Sequence, residues 1–129
     1  MPNKNRRLPQ SAIKPLREKL KSQQKNLCPI TGNPLGDDIV LDHCHKTGYI
    51  RATLPRWVNA TLGRVENWAN RVGNGVDPVA FLRGCADYVE FHRKYPSGLL
   101  HPTYKTEEEK RLLRNKRARQ ARAKKKLTQ

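Results

Sequence analysis

The sequence predicts an α+β fold, mainly helical, built around one short β-hairpin and flanked by basic ends. Three observations predict it. Two short apolar runs, Ile39 to His43 and Tyr49 to Thr53, are separated by Lys46-Thr47-Gly48, which reads as a hairpin turn. Elsewhere the apolar residues recur at helical rather than alternating spacing. The charge is unevenly placed: residues 1–26 carry eight Lys/Arg against one acid, residues 27–104 eight against seven, and residues 105–129 eleven against three. A near-neutral centre thus lies between two basic arms, the footprint of a protein that meets phosphate backbones.

Each element has a local cause. Residues 1–10 hold little to bury and read as disordered. Ile13, Leu16 and Leu20 fall on one face of a helix over 11–24. The stretch from Cys28 to Gly36, with two prolines and two glycines, reads as turns. Pro55 can open a helix, and Trp57, Leu62, Val65, Trp68, Ala69 and Val72 stripe it until Gly73-Asn74-Gly75 ends it. Trp57 and Trp68 are assigned to a core or a dimer interface rather than to base stacking. Asp77 before Pro78 is an N-cap with proline at the first helical position. Val79, Leu82, Cys85, Val89 and His92 line the helix that follows, and Cys85 is read as a core residue. Thr106 with Glu109 forms a capping box opening a last, strongly basic helix. The parts are therefore 1–26, a basic arm with the first helix; 27–73, the hairpin and its helix; 74–104, a helical region; and 105–129, a basic helix or tail.

Composition excludes some functions. No apolar run approaches the about 20 residues of a membrane span, and no secretory apolar region is visible, so a cytoplasmic protein with no membrane partner is expected. The three cysteines show no Cys-x-x-Cys spacing and cannot make a four-cysteine zinc site.

The chemistry is concentrated in Asp42-His43-Cys44-His45, at the end of the first strand. Taken alone, the cluster reads as a soft-metal site, a catalytic centre or surface residues of an edge strand. With Asn59 in the first turn of the following helix, the layout is hairpin then helix, with histidine on the strand and asparagine on the helix. Phosphodiester hydrolysis needs a base to deprotonate water and a divalent cation to neutralise phosphate charge. A hard cation takes oxygen ligands, such as an aspartate carboxylate and an asparagine carbonyl.

Leu41-Asp42-His43-Cys44-His45, with Gly48 to Arg51 and then Asn59-Ala60-Thr61-Leu62-Gly63, resembles the phage recombination endonuclease VII family, of the HNH or ββα-metal nucleases, over roughly residues 12–104. The resemblance implies a ββα-metal nuclease core and a metal-dependent endonuclease that cuts branched DNA and resolves Holliday junctions as a homodimer, through 74–104. It would act in the host cytoplasm as a phage-encoded protein. Asp42 and Asn59 would hold Mg²⁺, with Mn²⁺ as an alternative. His43 would be the general base, and His45 would contact the scissile phosphate or assist the leaving group. Arg51, Arg56 and Lys46 near the site, with Arg114, Lys116 and Arg117 in the tail, are the expected nucleic-acid contacts. Two departures stand out. Cys44 replaces an aspartate of the motif, though strand alternation turns it away from His43 and His45. The family's structural zinc is held by two Cys-x-x-Cys pairs, whose aligned positions here are Cys28, Thr31, Pro55 and Val58. No structural zinc is expected, and an apolar cluster of Cys28, Ile30, Leu35, Leu54, Pro55 and Val58 is expected instead. Two rival functions stay open: a non-catalytic nucleic-acid-binding protein on a decayed nuclease scaffold, and an HNH nicking enzyme without junction preference.

Overall fold

The computed structural model of the chain describes residues 6–128. Of the stretch 1–10 expected to be disordered, residues 1–5 lie outside the described residues, and Gln10 at its end is already helical. A single 3-10 turn, Gln10–Ala12, leads into α1, Ile13–Gln23. Then come the strands β1, Ile39–His43, and β2, Ile50–Pro55, followed by the helices α2, Arg56–Ala69, α3, Pro78–Lys94, and α4, Glu107–Leu127. The α+β, mainly helical class holds. The chain divides into two compact units at Asp87/Tyr88, within α3. Among the described residues no helix is long and apolar enough to cross a membrane.

Caps set the helix starts as the sequence predicts. Asp77 Oδ2 accepts from the Ala80 amide at 3.0 Å, and Thr106 Oγ1 from the Glu109 amide at 3.2 Å. Three glutamates then occupy the first turn of α4 and three lysines its last, each matching the helix dipole. The end of α2 is a correction. The helix stops at Ala69 rather than running to Gly73, because Arg71 and Val72 donate to the carbonyls three residues back and tighten the last turn. The second strand also starts one residue later than expected and continues to Pro55, which pairs as the terminal residue where its missing N–H costs nothing.

A two-stranded hairpin is marginal alone, so its supports matter. Cys28, Leu35, Ile39, Leu54 and Val58 form one buried cluster with Leu62 packed against it. The loop that contributes Cys28 closes on itself. The Cys28 amide donates to Asn33 O at 2.8 Å, Gly32 at φ +74° donates back to Cys28 O, and the Leu35 amide reaches Asn26 O at 2.9 Å. On the free edge of β2, the Gln24 carboxamide takes the place of a third strand: Nε2 donates to Thr53 O at 2.8 Å and Oε1 accepts from the Thr53 amide at 2.9 Å. Thr53 is fully buried, 0% exposed, and its hydroxyl donates to Arg17 O at 2.7 Å, so α1 is tied to β2 twice over. The amide, carbonyl and hydroxyl of Thr53 are thereby all paired, as burial demands, while Arg17 Nε beside them is buried without a partner among the described residues.

Several expected core residues are outside. Ile30 is 55% exposed, because its loop turns it away from the cluster that Cys28 and Leu35 join. Trp57 and Trp68 are 64% and 71% exposed, and Cys85 is exposed as well. No residue of α3 or α4 is buried, so helical periodicity there marks faces left open among the described residues.

Leu54 fills the centre of the cluster at 1% exposure. Leu54→Ala is expected to lower stability by about 2–5 kcal/mol, measured by urea unfolding. A loss below about 1 kcal/mol would show that the cluster does not hold the hairpin.

Candidate active site

The site is built on an irregular hairpin. Leu41 pairs with Thr53 and His43 with Ile50, so Asp42 alone faces both Arg51 and Ala52. This is a β-bulge, with the extra residue on β2, and bulges re-aim side chains. Its result is visible in one ion network. Arg51 Nε and Nη2 donate to Asp42 Oδ2 and Oδ1 at 2.6 and 3.1 Å. Arg51 Nη1 and Nη2 donate to Glu66 Oε2 and Oε1 at 3.1 and 2.8 Å. The guanidinium pKa is raised, first by its hydrogen bonds to Glu66 and then by those to Asp42. Asp42 itself is 5% exposed, so its charge is compensated inside rather than by water.

The end of the hairpin carries the imidazoles. The Cys44 amide donates to Tyr49 O at 2.9 Å and the Gly48 amide to Cys44 O at 2.7 Å, which closes the turn. Gly48 sits at φ +77°, a conformation that glycine adopts without strain. His43, the last residue of β1, and His45, in the turn, are both exposed, and their ring centroids are 5.0 Å apart. That separation puts the two rings side by side although His45 lies beyond the strand. Cys44 between them is half-buried, its thiol pKa lowered by hydrogen bonding with the Thr47 side chain and by the amides of Thr47 and Lys46.

Helix α2 supplies the opposite wall. Asn59, Gly63, Glu66 and Asn70 fall on one strip of it by helical spacing. Cys44, His45 and Lys46 of the turn line a cleft with Gly63, Glu66, Asn67 and Asn70 of α2 and its C-terminal end. Asn59, partly buried in the first turn of α2, has a carboxamide that forms no hydrogen bond among the described residues.

Of the expected phosphate contacts, Arg51 is committed to the two carboxylates, and Arg56 pairs with the exposed Asp38 at 2.9 Å. Lys46 lines the cleft beside His45. Arg114, Lys116 and Arg117 are exposed on α4, in the other compact unit. Sequence reasoning missed Glu66. Its signal was present: it lies seven residues, two helical turns, after Asn59.

The positions aligned with the two Cys-x-x-Cys pairs hold one thiol, that of Cys28. Cys28, Pro55 and Val58 are buried, and the Thr31 amide donates to Cys28 Sγ at 3.4 Å. Burial pushes the Cys28 thiol up, but the hydrogen bonds from Thr31 and Ile30 outweigh it and leave the pKa below its ordinary value.

Two imidazoles beside a paired carboxylate centre are groups for proton transfer and cation binding, the equipment of a hydrolytic enzyme. The family model of recombination endonuclease VII matches residues 4–91. The match takes in more than half of the chain, and the chain belongs to the recombination endonuclease VII family. A search of curated proteins finds no match.

Removing Arg51 would leave Asp42 buried and unpaired. Arg51→Met is expected to cost about 1–3 kcal/mol, below the roughly 3–5 kcal/mol of a fully buried broken pair because Arg51 is partly exposed. Denaturant unfolding measures it, and the exposed pair of Arg56 with Asp38 is the comparison, with Arg56→Met expected to cost under about 1 kcal/mol.

Proposed function

We propose that this chain is a metal-dependent, HNH-type endonuclease that cuts branched DNA and resolves Holliday junctions. The observation that carries the reading is the juxtaposition of exposed His43 and His45 with a buried carboxylate, on a hairpin followed directly by α2.

The donor types, a carboxylate and a carboxamide oxygen, suit a hard divalent cation such as Mg²⁺ or Mn²⁺. Asp42 and Asn59 would hold it. Arg51 uses one lone pair on each Asp42 oxygen, and a carboxylate has about four such sites. Bound there, the cation supplies neutralisation of phosphate charge and of the leaving oxygen. The chain's own residues do the rest. His43, exposed at the strand end, takes the proton from the attacking water. His45, on the same side, meets the scissile phosphate or the leaving oxygen. Arg51 orients Asp42. A non-catalytic binding protein needs neither a buried aspartate nor the paired imidazoles, which favours the enzyme over that rival.

Structural zinc has no part in this reading. The buried cluster around Cys28, Leu54 and Val58 occupies the joint where the family's two Cys-x-x-Cys pairs would align. A homodimer is supported by the apolar surface left open. Val65 and Trp68 on α2, and Val79, Phe81, Val89 and Phe91 on α3, are all exposed. A two-fold dimer would cover such faces and set two centres on opposed strands.

The basic ends bind backbone rather than sequence. In α4, Lys110 and Arg111 are paired with Glu107 and Glu108 at 3.0 and 3.1 Å, but from Arg114 to Lys126 eight basic residues run without an acid.

With a four-way junction and Mg²⁺, the wild type is expected to make paired cuts that EDTA abolishes, and linear duplex is expected to be cut more slowly. His43→Ala is expected to lose about 10²–10⁴-fold in rate with junction binding kept. Cleavage by His43→Ala at the wild-type rate would remove His43 as the base, and equal cutting of linear duplex would remove junction preference. Deleting residues 105–129 is expected to shallow the slope of log K against log[salt] by roughly three to six units. An unchanged slope, from binding titrations at several salt concentrations, would take the tail off the DNA.

A further inference from the structure

The Arg51 guanidinium lies between two carboxylates, and only Asp42 belongs to the reading above. Four of its five N–H groups are used, two on each acid. One cation against two anions leaves the trio at net −1. Had Arg51 paired with Asp42 alone, the pair would be neutral. Glu66 is what joins α2 to this pair, but the join does not require a charge: an apolar contact of similar volume would serve as well or better. Two acids on one guanidinium also repel each other, at a place where Asp42 is 5% exposed and the Arg51 and Glu66 side chains are 33% and 30% exposed. The arrangement is electrostatically incomplete, and a second positive charge completes it.

Position agrees. Glu66 stands on the same strip of α2 as Asn59 and lines the cleft with His45. It is thus the residue through which α2 reaches both the bulge and the imidazole side of the hairpin.

We propose that Glu66 is a positioning residue of the catalytic centre, which holds Arg51 against Asp42 and sets the net charge of the trio so that Asp42 can take a divalent cation. The inference rests on Asp42 being a metal ligand. Arg51 and Glu66 then act in opposite senses: Arg51 lowers the attraction of the site for a cation and Glu66 restores it.

The test is Mn²⁺ binding to the full-length protein without DNA, by isothermal titration calorimetry, with Asp42→Ala identifying the site. Glu66→Gln is expected to weaken the Asp42-dependent Kd about tenfold, the size of effect for one charge several ångströms away behind the ligand. Arg51→Gln is expected to tighten it by a similar factor, and Glu66→Asp to stay near the wild type. On a junction substrate with Mg²⁺ held at a fixed level, Glu66→Gln is expected to lower kcat with KM unchanged. Loss of packing alone would weaken the site in both variants, so opposite signs separate charge from structure. If circular dichroism shows that Arg51→Gln does not fold, the series Glu66→Gln then Glu66→Lys serves, each step weakening Kd by about tenfold. Shifts of the same sign for Arg51→Gln and Glu66→Gln, or a Glu66→Gln affinity within twofold of the wild type, would overturn the proposal. Undiminished Mn²⁺ binding in Asp42→Ala would overturn the assignment of Asp42 as ligand, and the role of Glu66 with it.

Discussion

A two-stranded hairpin cannot hold catalytic side chains steady by itself, and everything else in the first compact unit depends on how this one is anchored. The anchor has two parts. On one side the cluster of Cys28, Leu35, Ile39, Leu54 and Val58 joins the turn-rich loop, both strands and the start of α2. On the other, Gln24 pairs with both backbone groups of Thr53 and closes the exposed edge of β2. Burial of a few aliphatic side chains, at roughly 1.5–3 kcal/mol each, is on the scale needed to position so short an element. The edge clamp contributes less energy but fixes register, since a slip of one residue would turn every side chain to the wrong face.

Register is what makes the bulge matter. Placing two residues of β2 opposite Asp42 brings the Arg51 fork onto its carboxylate while His43 stays in register with Ile50. The hairpin can therefore bury one charged residue, in its pair, and expose the next. A regular ladder would turn neighbouring side chains to opposite faces but would not bring Arg51 around to the buried one. The link from Arg51 on to Glu66 carries the same organisation into α2. Local backbone irregularity, ion pairing and the electrostatics of the centre are thus one device.

Charge is distributed with the same economy. The residues around the hairpin are close to neutral, and their cations are largely spoken for: Arg51 by two acids, Arg56 by Asp38. Uncompensated positive charge lies at the two ends, in residues 1–26 and in α4 beyond its first paired turn. A helix with so few apolar residues gains little from packing, and its acidic start and basic end suit the dipole instead. Nonspecific attraction to phosphate and a charge-tuned centre are kept on separate elements of the chain.

By itself the sequence determined the helices with clear caps and the strand from Ile39 to His43, and it set Asp42, His43 and His45 within four positions. These are short-range matters: a cap is a hydrogen bond three residues long, and strand alternation sets which side two neighbours face. It also marked Cys28, Leu35, Leu54, Pro55 and Val58 as an apolar joint. What it could not settle depended on partners distant in the chain. Ile30 is as apolar as Leu35, and only the path of its loop puts one outside and the other inside. Trp57, Trp68 and Cys85 share a periodicity with buried helices, yet periodicity records a face and not what covers it. For Arg51 the sequence leaves both contact with DNA and packing open; the bulge at Asp42 and the helical turn that delivers Glu66 exist only in the folded chain, and they decide that its fork is spent on two carboxylates.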